Sequence, residues 1–340
     1  MTEPLQHLLI AEQVMKNLEK CMPGIITGYS KEQREKCLQD ILYHLNMLSQ
    51  AVYVDSPAIF VDYIQWTRIL FSGIGLPIEC LHATLQALSQ IYEEHGNTTY
   101  YTFIQAAEKS LKKNPEVSES FLPDDPFWNP VVREFIDDLI SLRRSQAHSL
   151  VRDLYAKGTG LKELYLSLFQ PALYETGRLW HIGTITVAQE HYCTSAVQQI
   201  IAGFYPDIMR QKKTGKRMLA SCVPGELHEV GVRMVADFFE LSGWETIYLG
   251  SNVPFPSIMH LIKTQKIPLL ALSCTISLHL DHMDTLIRMI RDDKELCGIK
   301  IIAGGYPFRK FPDLWMKIGA DASAKDAEDA VRIGENLVVV

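Results

Sequence analysis

The 340-residue sequence predicts a multidomain α and α/β protein: an all-α N-terminal domain, a four-helix bundle, and a C-terminal Rossmann-like (flavodoxin-like) domain with a five-stranded parallel sheet. Three observations predict it. Apolar residues recur at helical spacing down to about residue 208. A stretch rich in Pro, Ser and Asp at 114–130 divides that helical part. After the basic run at 210–217, short β-rich runs alternate with helical ones. With 47% hydrophobic residues the chain has ample material for well-packed cores.

Residues 1–114 read as the all-α domain, with helical periodicity in Leu8 to Leu18, Cys37 to Val52, Ile59 to Phe71 and Leu81 to Tyr92. Pro23-Gly24, Asp55-Ser56-Pro57 and the segment Gly73 to Pro77 mark its breaks. Residues 115–129 read as a linker. Residues 130–208 then carry helices near 131–144, 145–157, 160–178 and 186–206, enough for a compact bundle. Between the bundle and the sheet, Arg210 to Arg217 reads as a solvated linker.

In residues 216–340 the predicted strands are MLASCV, TIYLG, LLALSC, KIIAGG and ASA, separated by helices from 231, from 256, near 280–292 and near 311–318. Such sheets bind ligands beyond the carboxyl ends of their strands. Three loops fall there.

Charge and composition narrow the function classes. The net charge of −7, from 33 Lys plus Arg against 40 Asp plus Glu, gives no reason to expect nucleic acid or an anionic membrane as a partner. No apolar run approaches the roughly 20 residues of a membrane span, and the N-terminus lacks a signal pattern, so a cytoplasmic protein is expected. The seven cysteines form no C-x-x-C pair and read as reduced thiols.

The three sheet loops carry Glu226-x-His228-x-x-Gly231, Ser273-x-Thr275 and Gly304-Gly305. A lone loop histidine is usually surface decoration, but this combination resembles the signature of a cobalamin-binding family. The resemblance implies that His228 is the lower cobalt ligand, that Ser273 and Thr275 lie beside a buried nucleotide tail, and that the glycines leave room for it. Glu226 is placed to hydrogen-bond the other imidazole nitrogen, fixing its tautomer and raising its basicity. Many corrinoid enzymes have Asp there.

A second motif lies in the bundle. Gly183 breaks a helix, and Thr186 with Gln189 forms a capping box for the next, so Trp180 ends one helix while Glu190 and His191 begin another. The Trp180, Glu190, His191 spacing resembles the upper-face motif of adenosylcobalamin-dependent photoreceptors of the CarH type. That resemblance implies that Trp180 packs on the adenosyl group, that Glu190 accepts hydrogen bonds from it and that His191 helps position it. It further implies that His181 moves onto cobalt after light. The alternative for the motif itself is a buried Trp beside a solvated Glu-His pair.

Residues 1–114 lack the basic recognition helix of the DNA-binding repressors in that family. Their helices are similar to the N-terminal region of the photocobilins, which implies biliverdin as a second chromophore. Tyr53, Tyr63, Trp66, His82 and His95 are its candidate lining, or else core and surface residues of a plain helical domain; Cys80 is a remote candidate for covalent attachment.

The leading expectation is thus a non-enzymatic light sensor using adenosylcobalamin, with biliverdin as the candidate second chromophore. It would signal through light-dependent homo-oligomer assembly or an unidentified output protein. The runner-up is a corrinoid protein carrying methyl groups for a methyltransferase system. A third reading is a degenerate sensor that responds to cobalamin or another ligand alone.

Overall fold

The computed structural model describes residues 3–26, 28–113 and 119–338. The boundary expected at 114–115, the following linker residues up to 118 and the chain's last two residues lie outside the described residues. The chain divides into two compact units, one of residues 1–116 with 276–284, the other of residues 117–275 with 285–340.

The first unit is built from helices α1 (Glu3–Cys21), α2 (Lys31–Tyr53), α3 (Pro57–Gly73), α4 (Ile78–Glu94) and α5 (Thr98–Leu111), with a short helix at Pro23–Ile26. Local chemistry sets their ends. Ser30 and Gln33 form a reciprocal capping box at the start of α2. Pro57 opens α3, and Asn97 caps α5 through Tyr100 N–H. The apolar stripes meet inside: Val14, Leu45, Leu48, Ile64, Leu85, Leu88 and Ile104 are fully buried. The segment 276–284 belongs to this unit, where Asp281 N–H donates to Gln50 Oε1 at 3.0 Å and Tyr53 donates its hydroxyl proton to Asp284.

The second unit begins with a helical bundle: α6 (Trp128–Ile140), α7 (Arg144–Ala156), a composite helix ending in α8 (Gln170–His181), and α9 (Val187–Ala202). The composite helix starts at Leu161–Leu164 and widens into a π-helical turn at Tyr165–Phe169. Pro171 explains the widening. Its ring removes one backbone donor and crowds the carbonyl four residues back, and the Gln170 N–H bonds instead to Tyr165 O, five residues back.

The parallel sheet follows, with β1 (Arg217–Cys222), β2 (Glu245–Gly250), β3 (Leu269–Ser273), β4 (Lys300–Gly304) and β5 (Ala322–Ser323) in the order β2-β1-β3-β4-β5. Helices α10 (Val230–Leu241), α11 (Phe255–Gln265), α12 (Leu280–Asp292) and α13 (Ala327–Leu337) alternate with the strands. This is the multidomain α and α/β architecture, with its flavodoxin-like sheet, that the sequence predicts. The helix expected near 311–318 is instead two short pieces, Tyr306–Lys310 and Leu314–Lys317. Pro312 forces the break, because it disfavours helical geometry at Phe311.

Helix α10 has two buried faces. Val232, Ala236 and Phe239 pack on Met218, Ala220 and Cys222 of β1, while Met234 and Phe238 enter the bundle core beside Tyr165 and Phe169. Helix α10 therefore contributes to both apolar cores, that of the bundle and that of the sheet. Tyr165, in the bundle core, donates to Asp237 at 2.8 Å. The basic stretch before β1 is largely exposed, as expected, but two of its lysines are engaged: Lys213 pairs with Glu240, Lys216 pairs with Glu335, and the Lys216 ammonium lies over the Trp244 ring.

Candidate functional site

Strand order reverses at β1, whose neighbours are β2 on one side and β3 on the other. A crevice opens at such a switch point beyond the carboxyl ends of the strands. The loops after β1, β3 and β4 lie there. The first begins as a tight turn in which Glu226 N–H bonds back to Val223 O at 3.1 Å, with Pro224 and Gly225 at its corners. Gly225 has φ +85, a backbone conformation that suits glycine at the third position of a type II turn.

The turn drives the Glu226 side chain inward, leaving it 0% exposed, while His228 stays at the surface. This buried carboxylate ties the site together through both of its oxygens. Oε1 accepts the His228 backbone N–H at 2.9 Å and meets the His228 ring at Nδ1, 2.5 Å away. Oε2 accepts the Thr275 N–H at 2.6 Å, tying the loop after β1 to the loop after β3. A carboxylate only accepts, so the ring proton sits on Nδ1 and the lone pair on Nε2 is left for a metal. The hydrogen bond to Glu226 raises the His228 pKa above the ordinary histidine value, and the charges of Glu226 and then Glu190 add to the rise.

Glu190, on the bundle, thus acts electrostatically on His228, on the sheet domain. Its oxygens are engaged: His191 Nδ1 lies 2.5 Å from Oε2, and Thr194 donates to Oε1 at 2.9 Å. His191 is exposed. Trp180 is half-buried at the end of α8, and the adjoining His181 is buried. Their ring centroids are 6.5 Å apart.

The remaining sequence-predicted residues differ in what they do. Ser273 is buried at the end of β3, paired in register with Gly304 of β4. Thr275 contributes its backbone N–H, which its side-chain type did not foretell. Gly305 has φ +111, and a Cβ there would lie 2.0 Å from Cys274 O, so the protein's own backbone already requires this glycine. Gly231 is the opposite case. Nothing lies within 4 Å of its ideal Cβ, which is the open room a ligand could fill.

Sequence reasoning missed Asn252, whose Oδ1 accepts the Gly225 N–H at 2.9 Å, and Thr194 on Glu190. The first had a usable signal, an Asn in the loop directly after a predicted strand.

The donor set fits a metal that brings its own ring of ligands. Among the described residues no group of three or more His, Cys, Asp or Glu is arranged to hold a metal ion, so a metal held through His228 would have to bring most of its ligands with it. Burial pushes the nearby Cys222 thiol up to about 12, which keeps it protonated and out of competition.

Comparison with known proteins defines the class first. Residues 216–333 match the family model described as "B12 binding domain", and residues 131–202 match a second model of the same description. Both matches indicate a cobalamin or other corrinoid cofactor. The relatives make the class more particular. The chain is 22% identical over 213 residues to the dimethylamine corrinoid protein of Methanosarcina barkeri, covering 61% of this chain and 97% of that protein. It is 24% identical over 209 residues to trimethylamine corrinoid protein 1 of Methanosarcina mazei, covering 59% and 90%. The structure of the Methanosarcina barkeri monomethylamine corrinoid protein superposes with a TM-score of 0.56 at 18% identity, over 62% of this chain and 99% of that one, a likeness of fold.

These relatives correct the resemblance to CarH-type photoreceptors and photocobilins, and with it the light sensor in which His181 moves onto cobalt. The histidine-loop signature belongs equally to corrinoid proteins, so the photoreceptor reading rested on Glu226 in place of Asp and on Trp180, His181 and Glu190. In the structure His181 is buried at a helix end, and Glu190 holds His191 and Thr194. Light-dependent assembly loses its basis with that reading.

The candidate bilin residues also have protein partners. Tyr63 is buried against His44 at 2.6 Å, Tyr53 bonds Asp284, and His95 Nδ1 lies 2.6 Å from the carbonyl oxygen of Ile91. Trp66 is exposed and His82 half-buried, and Cys80 is a free thiol. Among the described residues no helix is long and apolar enough to cross a membrane.

Proposed function

We propose that this chain is a cobalamin-dependent methyl carrier, the corrinoid component of a methyltransferase system acting on methylamine-type substrates. It serves partner methyltransferases and does not itself catalyse the transfers. The observation that carries the reading is the fully buried Glu226 bonded at 2.5 Å to Nδ1 of His228 in a chain similar to methylamine corrinoid proteins.

Cobalamin supplies a cobalt whose upper face accepts and gives up a methyl group, chemistry that no side chain here provides. The protein's part is to hold and tune it. Glu226 keeps the proton on Nδ1 of His228, so that Nε2 is the ligand and is made more basic. Thr275 N–H holds the second carboxylate oxygen, so the imidazole is oriented by two strands of the sheet. Gly231, Ser273, Gly304 and Gly305 would line the space for the cofactor's nucleotide tail. Trp180, His181, Glu190 and His191 stand on the bundle as the upper wall of the site. Of the upper ligands weighed from the sequence, methyl suits this reading and adenosyl is not required; nor is biliverdin.

The test is retention and release of label. Protein loaded with cobalamin and chemically reduced is exposed to radiolabelled methyl iodide, desalted, and then given a small thiol with and without a corrinoid-dependent methyltransferase that uses a thiol as methyl acceptor. Label that travels with the protein and passes to the thiol faster with the methyltransferase supports the carrier. Label that is lost on desalting, or whose release the methyltransferase leaves unchanged, overturns it.

A further inference from the structure

We infer that Asn252, in the loop after β2, is a positioning residue for the cobalt-ligating histidine: by accepting the Gly225 N–H it locks the turn that projects Glu226 and His228. The inference rests on the cobalamin-carrier reading above. It adds a third strand to the two already seen to hold the ligand.

The argument starts from the backbone. Asn252 has φ +58, one of four non-glycine residues with positive φ among the described residues. Asparagine tolerates that region better than most side chains, at a cost of order 1 kcal/mol that persists only where the surroundings enforce it. Here the surroundings are the turn Val223 to Glu226. The Gly225 N–H belongs to the central peptide of that turn, between Pro224 and Gly225. In a type II turn this peptide can rotate to the type I orientation, in which a residue at the Gly225 position takes negative φ. The bond to Asn252 Oδ1, 2.9 Å long, fixes the peptide in the orientation seen.

The end of β2 is shaped to put Asn252 there. The β1 and β2 register shifts between Ala220 and Ser221, which pair with Tyr248 and Gly250, so β2 gains one residue and bends. Gly250 has φ +72, and a Cβ there would sit 3.0 Å from Glu229 Oε2. Ser221 Oγ donates to Gly250 O at 3.3 Å, holding the bend. The charge of Glu229, one residue beyond His228, is felt at the Tyr248 hydroxyl of β2. The histidine loop is held at Gly225 from the loop after β2 and at Glu226 from the loop after β3.

Two variants separate positioning from folding. Asn252→Gly keeps the left-handed backbone and removes the acceptor, whereas Asn252→Asp keeps both. Each is loaded with methylcobalamin as the full chain, and three quantities are read: the visible spectrum reporting histidine ligation of cobalt, the cobalamin dissociation rate, and the melting temperature of the cobalamin-free protein. The expected result is dissociation accelerated roughly 10-fold in Asn252→Gly, the scale of losing an indirect support of a metal ligand. Its histidine-ligated spectrum should fall, its cobalamin-free melting should be unchanged, and Asn252→Asp should match the wild type. Wild-type spectrum and rate in Asn252→Gly, or an equal loss in Asn252→Asp, would overturn the inference alone. A wild-type protein whose cobalamin is not histidine-ligated would overturn it together with the carrier reading.

Discussion

His44 and His228 each share a short hydrogen bond with one oxygen partner, yet the two regions use the imidazole in opposite ways. His44 lies in the helical unit, buried against Tyr63 at 2.6 Å, and burial lowers its pKa to about 4. His228 lies on a loop of the sheet domain, exposed, with a buried anionic partner that raises its pKa. A neutral phenol and an apolar shell make a histidine a packing residue. An anion on one nitrogen and open space at the other make it a ligand. The difference lies in the partner's charge and in where the second nitrogen points.

The largest test of that contrast is pH. Because the folded pKa of His44 lies below the usual 6.5, its neutral form is favoured in the folded chain. The unfolded chain therefore takes up the proton first, and stability fully present above pH 6.5 is lost as pH falls towards 4, by about 3 kcal/mol. Hydrogen exchange of the α2 amides across this window should show the loss in the wild type and a smaller slope in His44→Gln. Equal slopes would mean that His44 is not held neutral.

Next in size, Glu226→Gln should weaken cobalamin binding by about 10- to 100-fold, since the amide offers less charge to the imidazole and can turn a donor towards the Thr275 N–H. Titration with cobalamin measures it, and an unchanged affinity would break the contrast on the His228 side. Gly231→Ala sharpens the same point from the empty side. The Cβ meets nothing, so the cobalamin-free protein should gain up to about 1 kcal/mol from a better helix former in α10. Cobalamin affinity should nevertheless fall, because the methyl group occupies the ligand's room; chemical unfolding and cobalamin titration of the same variant report the two effects.

The smallest expected change is in His228→Ala without cobalamin. Loss of the ring leaves the buried Glu226 carboxylate with the His228 and Thr275 backbone N–H donors, so unfolding stability should fall by about 1 kcal/mol, while cobalt ligation is lost from the spectrum of the loaded protein. A large drop in cobalamin-free stability would make His228 a structural residue after all.

Periodicity carried much of the fold. Amphipathic stripes, the capping box at Thr186, and apolar strands punctuated by glycine and proline are local features, legible because each arises from interactions within a few residues. The break at Pro312 was equally local and was passed over. The π-helical turn before Pro171 was not legible: proline announces a perturbed helix, while packing decides how the helix absorbs it. The pairing of Lys213 and Lys216 in the basic stretch before β1 was not legible, because Glu240, Trp244 and Glu335, which engage them, are distant in sequence.

The same division holds for the site. The sequence by itself determined the histidine loop, its glutamate and the glycine pair, because their spacing reflects a demand on a few adjacent residues. Only the tertiary structure decided that Thr275 acts through its backbone, that Gly305 answers to Cys274, that Gly231 borders open room, and that Asn252 reaches the histidine turn from another strand. It also placed Glu190 where its charge is felt at His228. Contacts between loops from different strands depend on sheet order and register, and no spacing along one chain records which loops the folded sheet brings together.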